Sequence, residues 1–248
     1  MSGYQGDAGT DIQVLYEDNH LLVVSKPPGI PSQEDESGDP DMLTLLKADL
    51  KERYNKPGNV FLGLVHRLDR PVGGAMLFAK TSKAASRLSD AVRSRSFGKT
   101  YAAVLAGVPA STSGSLRHYL LKDKSTNTVR AFDRPVAGAK EALLDYTVVA
   151  AGSGCALAAV RLHTGRSHQI RVQMAQLGCP LAGDRKYGGS SGGGNAVVPE
   201  IALWSTSISV AHPVTREPLV IRSQPPQNGA WTLWSPEQLT RASEHYLP

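Results

Sequence analysis

Cysteine is nearly absent: Cys155 and Cys179 are the two in 248 residues, with no CxxC spacing and no partner cluster around them. That excludes a disulfide framework and a thiolate metal centre, and it points to free thiols in a reducing compartment. Long apolar runs are missing as well, and no window approaches the ~18 apolar residues that a membrane span needs. The first residues, MSGYQGDAGTD, carry neither a basic nor an apolar segment, so no signal peptide is expected. The expectation is a soluble cytoplasmic protein. Charge of one sign is not in large excess: 27 Lys plus Arg face 22 Asp plus Glu, a net +5. Such a balance permits an anionic partner such as nucleic acid but does not demand one. No internal repeat is present, nothing indicates an oligomer, and a monomer is the working expectation.

What is there is ordinary globular composition, with 41% hydrophobic and 20% charged residues. The length suits one large domain with two lobes. Residues 1–11 are small and polar and read as a flexible tail, leaving 12–248 as a single domain. Two short apolar runs around Asp18-Asn19 read as a hairpin that ends at Pro27-Pro28-Gly29. Leu43, Leu46 and Leu50 recur at helical spacing, predicting a helix over 40–54 with Asp39 as N-cap and Pro40 in its first turn. A second helix starts near Thr81, with Ala84, Ala85, Leu88, Ala91 and Val92 on one face. Its other face carries Lys83, Arg87, Arg93 and Arg95. A strand opens at Lys99-Thr100-Tyr101, a hairpin turns at Ser153-Gly154, and another runs from Ala202 to Ser223. SHQIRVQMAQLG reads as a helix with Ser167 as N-cap and Gly178 just past its end. Residues 115–142 are basic and turn-rich with weak periodicity. Strands joined by hairpins, with few helices, predict an α+β fold on a largely antiparallel sheet.

Several constellations could carry chemistry. The run GGSSGGGN at 188–195 lacks the Gly-Lys-Ser/Thr ending of a phosphate loop and reads as a surface loop. A hydrolase acting at a phosphate site there is a third-ranked reading. His163 and His168 have no third ligand at metal spacing, so no metal site is expected. The basic helix face at 83–95 and the cluster Arg161, Arg166 and Arg171 offer phosphate contacts. Most informative is VHRLDRPVGGAMLFAKT at 65–81. Asp69 stands between Arg67 and Arg70 on a loop between two apolar runs, where functional groups concentrate. Arg171 lies within an apolar helix and needs a carboxylate partner, for which Asp69 is a candidate. A carboxylate held ionised by an arginine can serve as nucleophile or base. The residues alone lead to an ionised carboxylate in a cleft that favours anions, and no further.

Four stretches carry a resemblance. YEDNHLLVVSKPPGIPS at 16–32, HRLD at 66–69, FGKTYAAVLAG at 97–107 and TGRSHQIRVQMAQLGCPLAGDRKYG at 164–188 resemble, in order and spacing, the RluA-type RNA pseudouridine synthases. The resemblance implies the pseudouridine synthase fold: a mixed, largely antiparallel sheet in two lobes with flanking helices and a central active-site cleft. It implies isomerisation of uridine to pseudouridine in structured ribosomal or transfer RNA, with no cofactor and no metal. By the same resemblance Asp69 falls on the catalytic aspartate, and Tyr101 on the tyrosine that stacks on the target base. Arg171 falls on the arginine that pairs with the aspartate, and Arg67 on one that helps turn the base out. His66, Lys99, Arg166, Arg87 and Arg93 are the further RNA-contact candidates. The family's Thr-Ser-Gly after HRLD is replaced here by Val72-Gly73-Gly74, which marks this spot for substrate preference. Whether the aspartate attacks C1′ or takes the C2′ proton stays open. The alternative is an RNA-binding or RNA-folding module with this fold and no turnover.

Overall fold

The structure, a computed structural model, describes residues 3–5, 11–188 and 200–247. Of the glycine-rich stretch only Gly188 falls among these, so the reading of 189–195 lies outside the described residues. The chain divides into two compact units, one formed by the residues up to Phe97 with Ser207–Ser223, the other by Gly98–Thr206 with the residues from Gln224 on.

The first unit opens with β1 (Gly3–Gln5), which pairs with β2 (Asp11–Glu17), so a strand stands within the stretch read as a tail. β2 turns at Asp18-Asn19 into β3 (Leu21–Lys26). The turn closes because the Asp18 carboxylate accepts from the His20 and Leu21 N–H groups, both at 2.7 Å. Next come α1 (Met42–Arg53), β4 (Gly63–Leu64), β5 (Gly73–Ala79) and α2 (Ser82–Arg93). The cap of α1 is Asp41, which accepts from Leu43 and Thr44 N–H; the expected Asp39 instead bonds Arg70 outside the helix. α2 starts where expected, with Thr81 as its cap.

β5 pairs with β3 on one side and β4 on the other, all antiparallel. Its seven residues, GGAMLFA, are all buried, as a strand covered on both faces should be. The register sets Leu21 opposite Ala79 and Val23 opposite Leu77. These join Ala84 and Leu88, four apart on α2, in one apolar cluster with Phe97, Ile208 and Ile221. The basic face of α2 is partly spoken for: Arg87 donates to the Pro213 carbonyl and Arg93 pairs with Asp90.

The second unit is built on an antiparallel sheet whose spatial order departs from the chain order. β6 (Gly98–Leu105), β7 (Ser113–Asp123), β8 (Thr128–Phe132), β9 (Lys140–Gly152) and β10 (Cys155–Leu162) pair antiparallel in the order β6-β10-β9-β7-β8. β7 and β8 occupy the stretch in which periodicity was weak, because Tyr119, Leu121 and Phe132 stand on their outer face and blur the alternation. Leu120, Val129 and Ala142 pack with Val172 of α3 (Gln169–Gln176) on the inner face. Strand β11 (Leu203–Ala211) contributes its first four residues here and the rest to the first unit, where it pairs with β12 (Pro218–Arg222). α4 (Pro236–Glu244) ends the chain with a Ser235/Gln238 capping box, and Leu239 and Ala242 join Trp204, Trp231 and Trp234 over β6 and β10. That capping box stood in the sequence as Ser-Pro-Glu-Gln and is the signal for a helix the pattern reading passed over.

Glu17 clasps the end of α1 to the end of β5. It accepts from Arg53 Nη1 at 2.9 Å, the Tyr54 hydroxyl at 2.9 Å and Lys80 Nζ at 2.6 Å. Burial works to raise its carboxyl pKa, but these bonds outweigh it and hold the pKa below the ordinary value. Stability from such a group is present above the unfolded pKa near 4.3 and is lost as pH falls through the lower folded value. Glu17→Gln should therefore lower the urea-unfolding free energy at pH 7 by about 1–3 kcal/mol. The gap between variant and wild type should close below about pH 4.

Candidate active site

Asp69 lies half-buried in the loop 65–72, which joins β4 to β5 as expected. The residues next to it, two arginines and a proline, offer it no hold of their own. Much of the hold comes from the end of β3 and the segment after it. Lys26 is wholly buried, and its Nζ donates to the carbonyls of Pro27 at 2.9 Å, Arg70 at 3.1 Å and Val72 at 2.8 Å. Burial pulls the Lys26 pKa down to about 7, the Asp69 charge pulls it up, and Arg70 pulls it down. Three carbonyl acceptors call for three N–H donors, which the ammonium has and the free amine lacks. That geometry assigns the charged form to the closed loop, against the pull of burial.

Two further clasps complete the loop. The Ser32 hydroxyl donates to the Leu68 carbonyl at 2.7 Å and accepts from the Leu68 N–H at 3.1 Å. The Gly29 N–H donates to the Arg70 carbonyl at 2.8 Å, and Arg70 Nε returns a bond to the Gly29 carbonyl at 2.9 Å. The Val72 N–H donates to the Asp69 carbonyl at 2.9 Å, closing a tight turn under the carboxylate. So the Lys-Pro-Pro-Gly stretch and Ser32 are a template on which the aspartate loop is cast. Lys26 was not singled out from the sequence, although a lysine at the end of an apolar strand, before two prolines, was a signal.

One expectation changes here. His66 was counted among the RNA contacts, but it is buried and turned inward: its Nε2 accepts from the Leu77 N–H at 3.0 Å, and its ring lies 5.2 Å from that of Phe97. It anchors the loop to β5. Gly73 and Gly74, at the spot marked for substrate preference, are buried and open β5, Gly74 at φ 110°, with Val72 buried before them. Arg67 is exposed beside Asp69.

The other candidates belong to the second unit. Tyr101 is buried on β6, opposite Val160 of β10, and Lys99 stands two residues before it, opposite Leu162. Burial depresses the Lys99 pKa. A Cβ on Gly165 would come within 2.9 Å of Lys99 Nζ, so the TGR turn passes close over the end of that lysine chain. The turn is tied down by Gln169: its Oε1 accepts from Thr164 Oγ1 at 2.8 Å and from the Arg166 N–H at 3.0 Å. Arg166 itself is exposed, with Nε donating to the Glu141 carbonyl. Ser167 does not cap α3; His168 takes that place in a left-handed conformation, and its ring shares a 2.6 Å hydrogen bond with the Tyr187 hydroxyl.

Arg171 is buried, as its apolar neighbours implied, and it has a carboxylate within its own unit. Nε donates to Asp184 Oδ2 at 2.8 Å and Nη2 to Oδ1 at 2.9 Å, a fork on a fork. The Tyr187 ring centroid lies 5.2 Å from the guanidinium carbon. Asp184 also accepts from the Lys186 N–H at 3.0 Å, so one carboxylate sets both the arginine and the turn after it. That turn needs Gly183, at φ 77° and with the Glu200 carbonyl 2.0 Å from where a Cβ would sit. Asp184 was absent from the sequence-derived site, because only the fold brings it under α3. Among the described residues no group of three metal-ligating side chains forms; His163 bonds Asp145 at 2.6 Å. Among the described residues no helix is long and apolar enough to cross a membrane.

The family model described as RNA pseudouridylate synthase matches residues 20–176. An uncharacterized RNA pseudouridine synthase of Bacillus subtilis, YhcT, is 33% identical over 213 residues, covering 85% of this chain and 67% of its own. The ribosomal large subunit pseudouridine synthase D of Xanthomonas campestris is 32% identical, covering 88% of this chain and 67% of its own. Among solved structures, human RNA pseudouridylate synthase domain containing 4 superposes with a TM-score of 0.74 at 22% identity, over 94% of this chain and 92% of that one. At that identity the likeness shows the shared fold.

Both anchors are open to test. Lys26→Met keeps the volume but leaves three carbonyls without a donor, and it should cost about 2–4 kcal/mol of unfolding free energy in urea. Asp184→Asn takes away the countercharge on Arg171 Nε and Nη2 and should cost about 3 kcal/mol. A loss under about 0.5 kcal/mol for either, the range of ordinary surface changes, would show that it anchors nothing.

Proposed function

The chain belongs to the RNA pseudouridylate synthase family and is an RNA pseudouridine synthase, an isomerase, and we propose that Asp69 carries its chemistry on uridine. The observation that supports this role most is the template under the loop. A buried ammonium, a serine clasp and a paired glycine fix the backbone on both sides of a half-buried carboxylate. A reacting group on a fixed backbone meets its substrate in one geometry.

The target is an RluA-type site in structured ribosomal or transfer RNA, and the enzyme works as a cytoplasmic monomer. A uridine within a fold must first be turned out of its stack, at a cost of a few kcal/mol that phosphate contacts and stacking offset. Arg67, exposed beside Asp69, assists that step, and Arg166 and Lys99 serve the phosphates of the target segment. The N1–C1′ bond then breaks while positive charge develops at the sugar. The Asp69 carboxylate either bonds C1′ as the N1–C1′ bond breaks, or removes the C2′ proton and leaves the sugar as a glycal. Uracil turns on Tyr101; C5 bonds to C1′, displacing the Asp69 ester in the first route or with Asp69 returning the proton to C2′ in the second; the C5 proton then leaves to solvent. Arg171, fixed by Asp184, takes part in the reaction as the resemblance implies. No redox step enters, because substrate and product have the same composition.

Incubation with RNA carrying C5-tritiated uridine reads the reaction directly, since each turnover releases the C5 hydrogen. Asp69→Asn should lower release by at least about 10⁴-fold, the scale on which loss of a nucleophile acts, while RNA affinity stays within a few-fold. If the wild type binds cellular RNA but releases no tritium from any pool, the chain is an RNA-binding or RNA-folding module instead.

A further inference from the structure

The β7–β8 hairpin has an inner face that is accounted for and an outer face that is not. Strand alternation sends His118 and Leu120 inward, where both are buried, and Arg117, Tyr119 and Leu121 outward. The register sets Phe132 directly opposite Tyr119, and Arg130 opposite Leu121, so β8 adds its own aromatic and arginine to that outer face. From β9, Glu141 stands opposite Tyr119 on the other side. Tyr119 and Phe132 are half-exposed, and Arg117 and Arg130 are exposed.

A solvated sheet face is ordinarily polar. Here the register sets two aromatic residues opposite each other on neighbouring strands, with their Cβ atoms at the ~5 Å spacing of opposed positions. Cations border them. The Arg130 guanidinium lies 5.2 Å from the Phe132 ring centroid. Among the described residues Arg130 has no carboxylate partner, so its charge is available. Arg117 is held by Glu141, with Nε at 2.8 Å and Nη2 at 2.6 Å. Asp145, further along the same face, is engaged by Ser115 and His163. The acids are thus engaged locally, while Arg130 is left to face a ligand, with exposed Lys122 and Lys124 at the hairpin tip.

We propose that this outer face of β7, β8 and β9 is a stacking platform for unpaired bases of the RNA substrate outside the target uridine, with Tyr119 and Phe132 taking base faces and Arg130 a phosphate. The proposal rests on the RNA reading above and deepens it. Aromatic rings on a sheet, bordered by arginines, suit splayed-out bases, because every base has a π-face and every linkage a negative charge. The platform contributes to choice of RNA through shape: a paired segment offers no base face to it.

The full chain, irradiated with RNA containing 4-thiouridine and then digested, should carry nucleotide adducts on Tyr119 or Phe132. Affinity for a fluorescent oligouridylate, read by anisotropy, should fall at least about 5-fold in Tyr119→Ala/Phe132→Ala and be kept in Phe132→Trp. Arg130→Ala should lower the slope of log affinity against log salt by about one. Circular dichroism melting of each variant checks that the fold is intact, and Phe132→Trp and Arg130→Ala test the face without emptying it. Adducts elsewhere only, with unchanged affinity in the double variant, would overturn the platform while tritium release from bulk RNA left the RNA reading standing. The same holds if the face proves instead to be covered by a protein partner. Wild type that neither binds RNA nor releases tritium would bring down the RNA reading, and the platform with it.

Discussion

One buried ammonium governs the first unit. Lys26 ends a strand that is apolar along its length, and its Nζ is enclosed where no water reaches it. An isolated charge there would cost several kcal/mol. It is tolerated because three carbonyls converge on it, and two of them, from Arg70 and Val72, flank the turn that begins at Asp69. The requirement runs both ways. The lysine can be buried only if the loop takes this path, and the loop keeps this path because the lysine is buried. A local need for solvation thereby becomes a constraint on where a carboxylate points, across a sequence separation of 44–46 residues.

The second unit repeats the device with a different pair. Arg171 is buried by the apolar run around it, and its fork is filled by Asp184, which also sets the turn that follows. Gly183 lets the chain pass the Glu200 carbonyl to bring that aspartate in. In both units a charge that would be costly alone is met by groups that a loop must deliver. Loop geometry is then as well determined as strand geometry, which is what positioning of reactive groups needs.

Much of this was legible beforehand, for identifiable reasons. The β2–β3, β9–β10 and β11–β12 hairpins follow from period-2 apolar runs broken by Asp-Asn, Ser-Gly and Pro-containing turns, all of which act within a few residues. α2 was legible from its apolar stripe. The Asp69 loop was placed between its strands from two short apolar runs. β7 and β8 were not legible, since their outer residues alternate basic and aromatic and blur the pattern. The cap of α1 slid from Asp39 to Asp41 because two aspartates competed and Arg70, far along the chain, engaged the first. His66 looked like a surface group beside a reactive carboxylate, and packing against Phe97 and β5 took it inside.

By itself the sequence determined the elements whose signals are short-range, the loop that carries Asp69, and through four ordered motifs the family to which the chain belongs. Tertiary structure alone decided which groups serve that loop. Nothing within 65–81 points to Lys26 or Ser32, and nothing in the α3 run names Asp184. The reason is physical: turn and period signals are written in residues that touch their neighbours in sequence, whereas the partner of a buried charge is whichever group folding brings to it. The outer aromatic pair of β7 and β8 belongs to the second class too, because Tyr119 and Phe132 become neighbours only when the register sets them opposite each other.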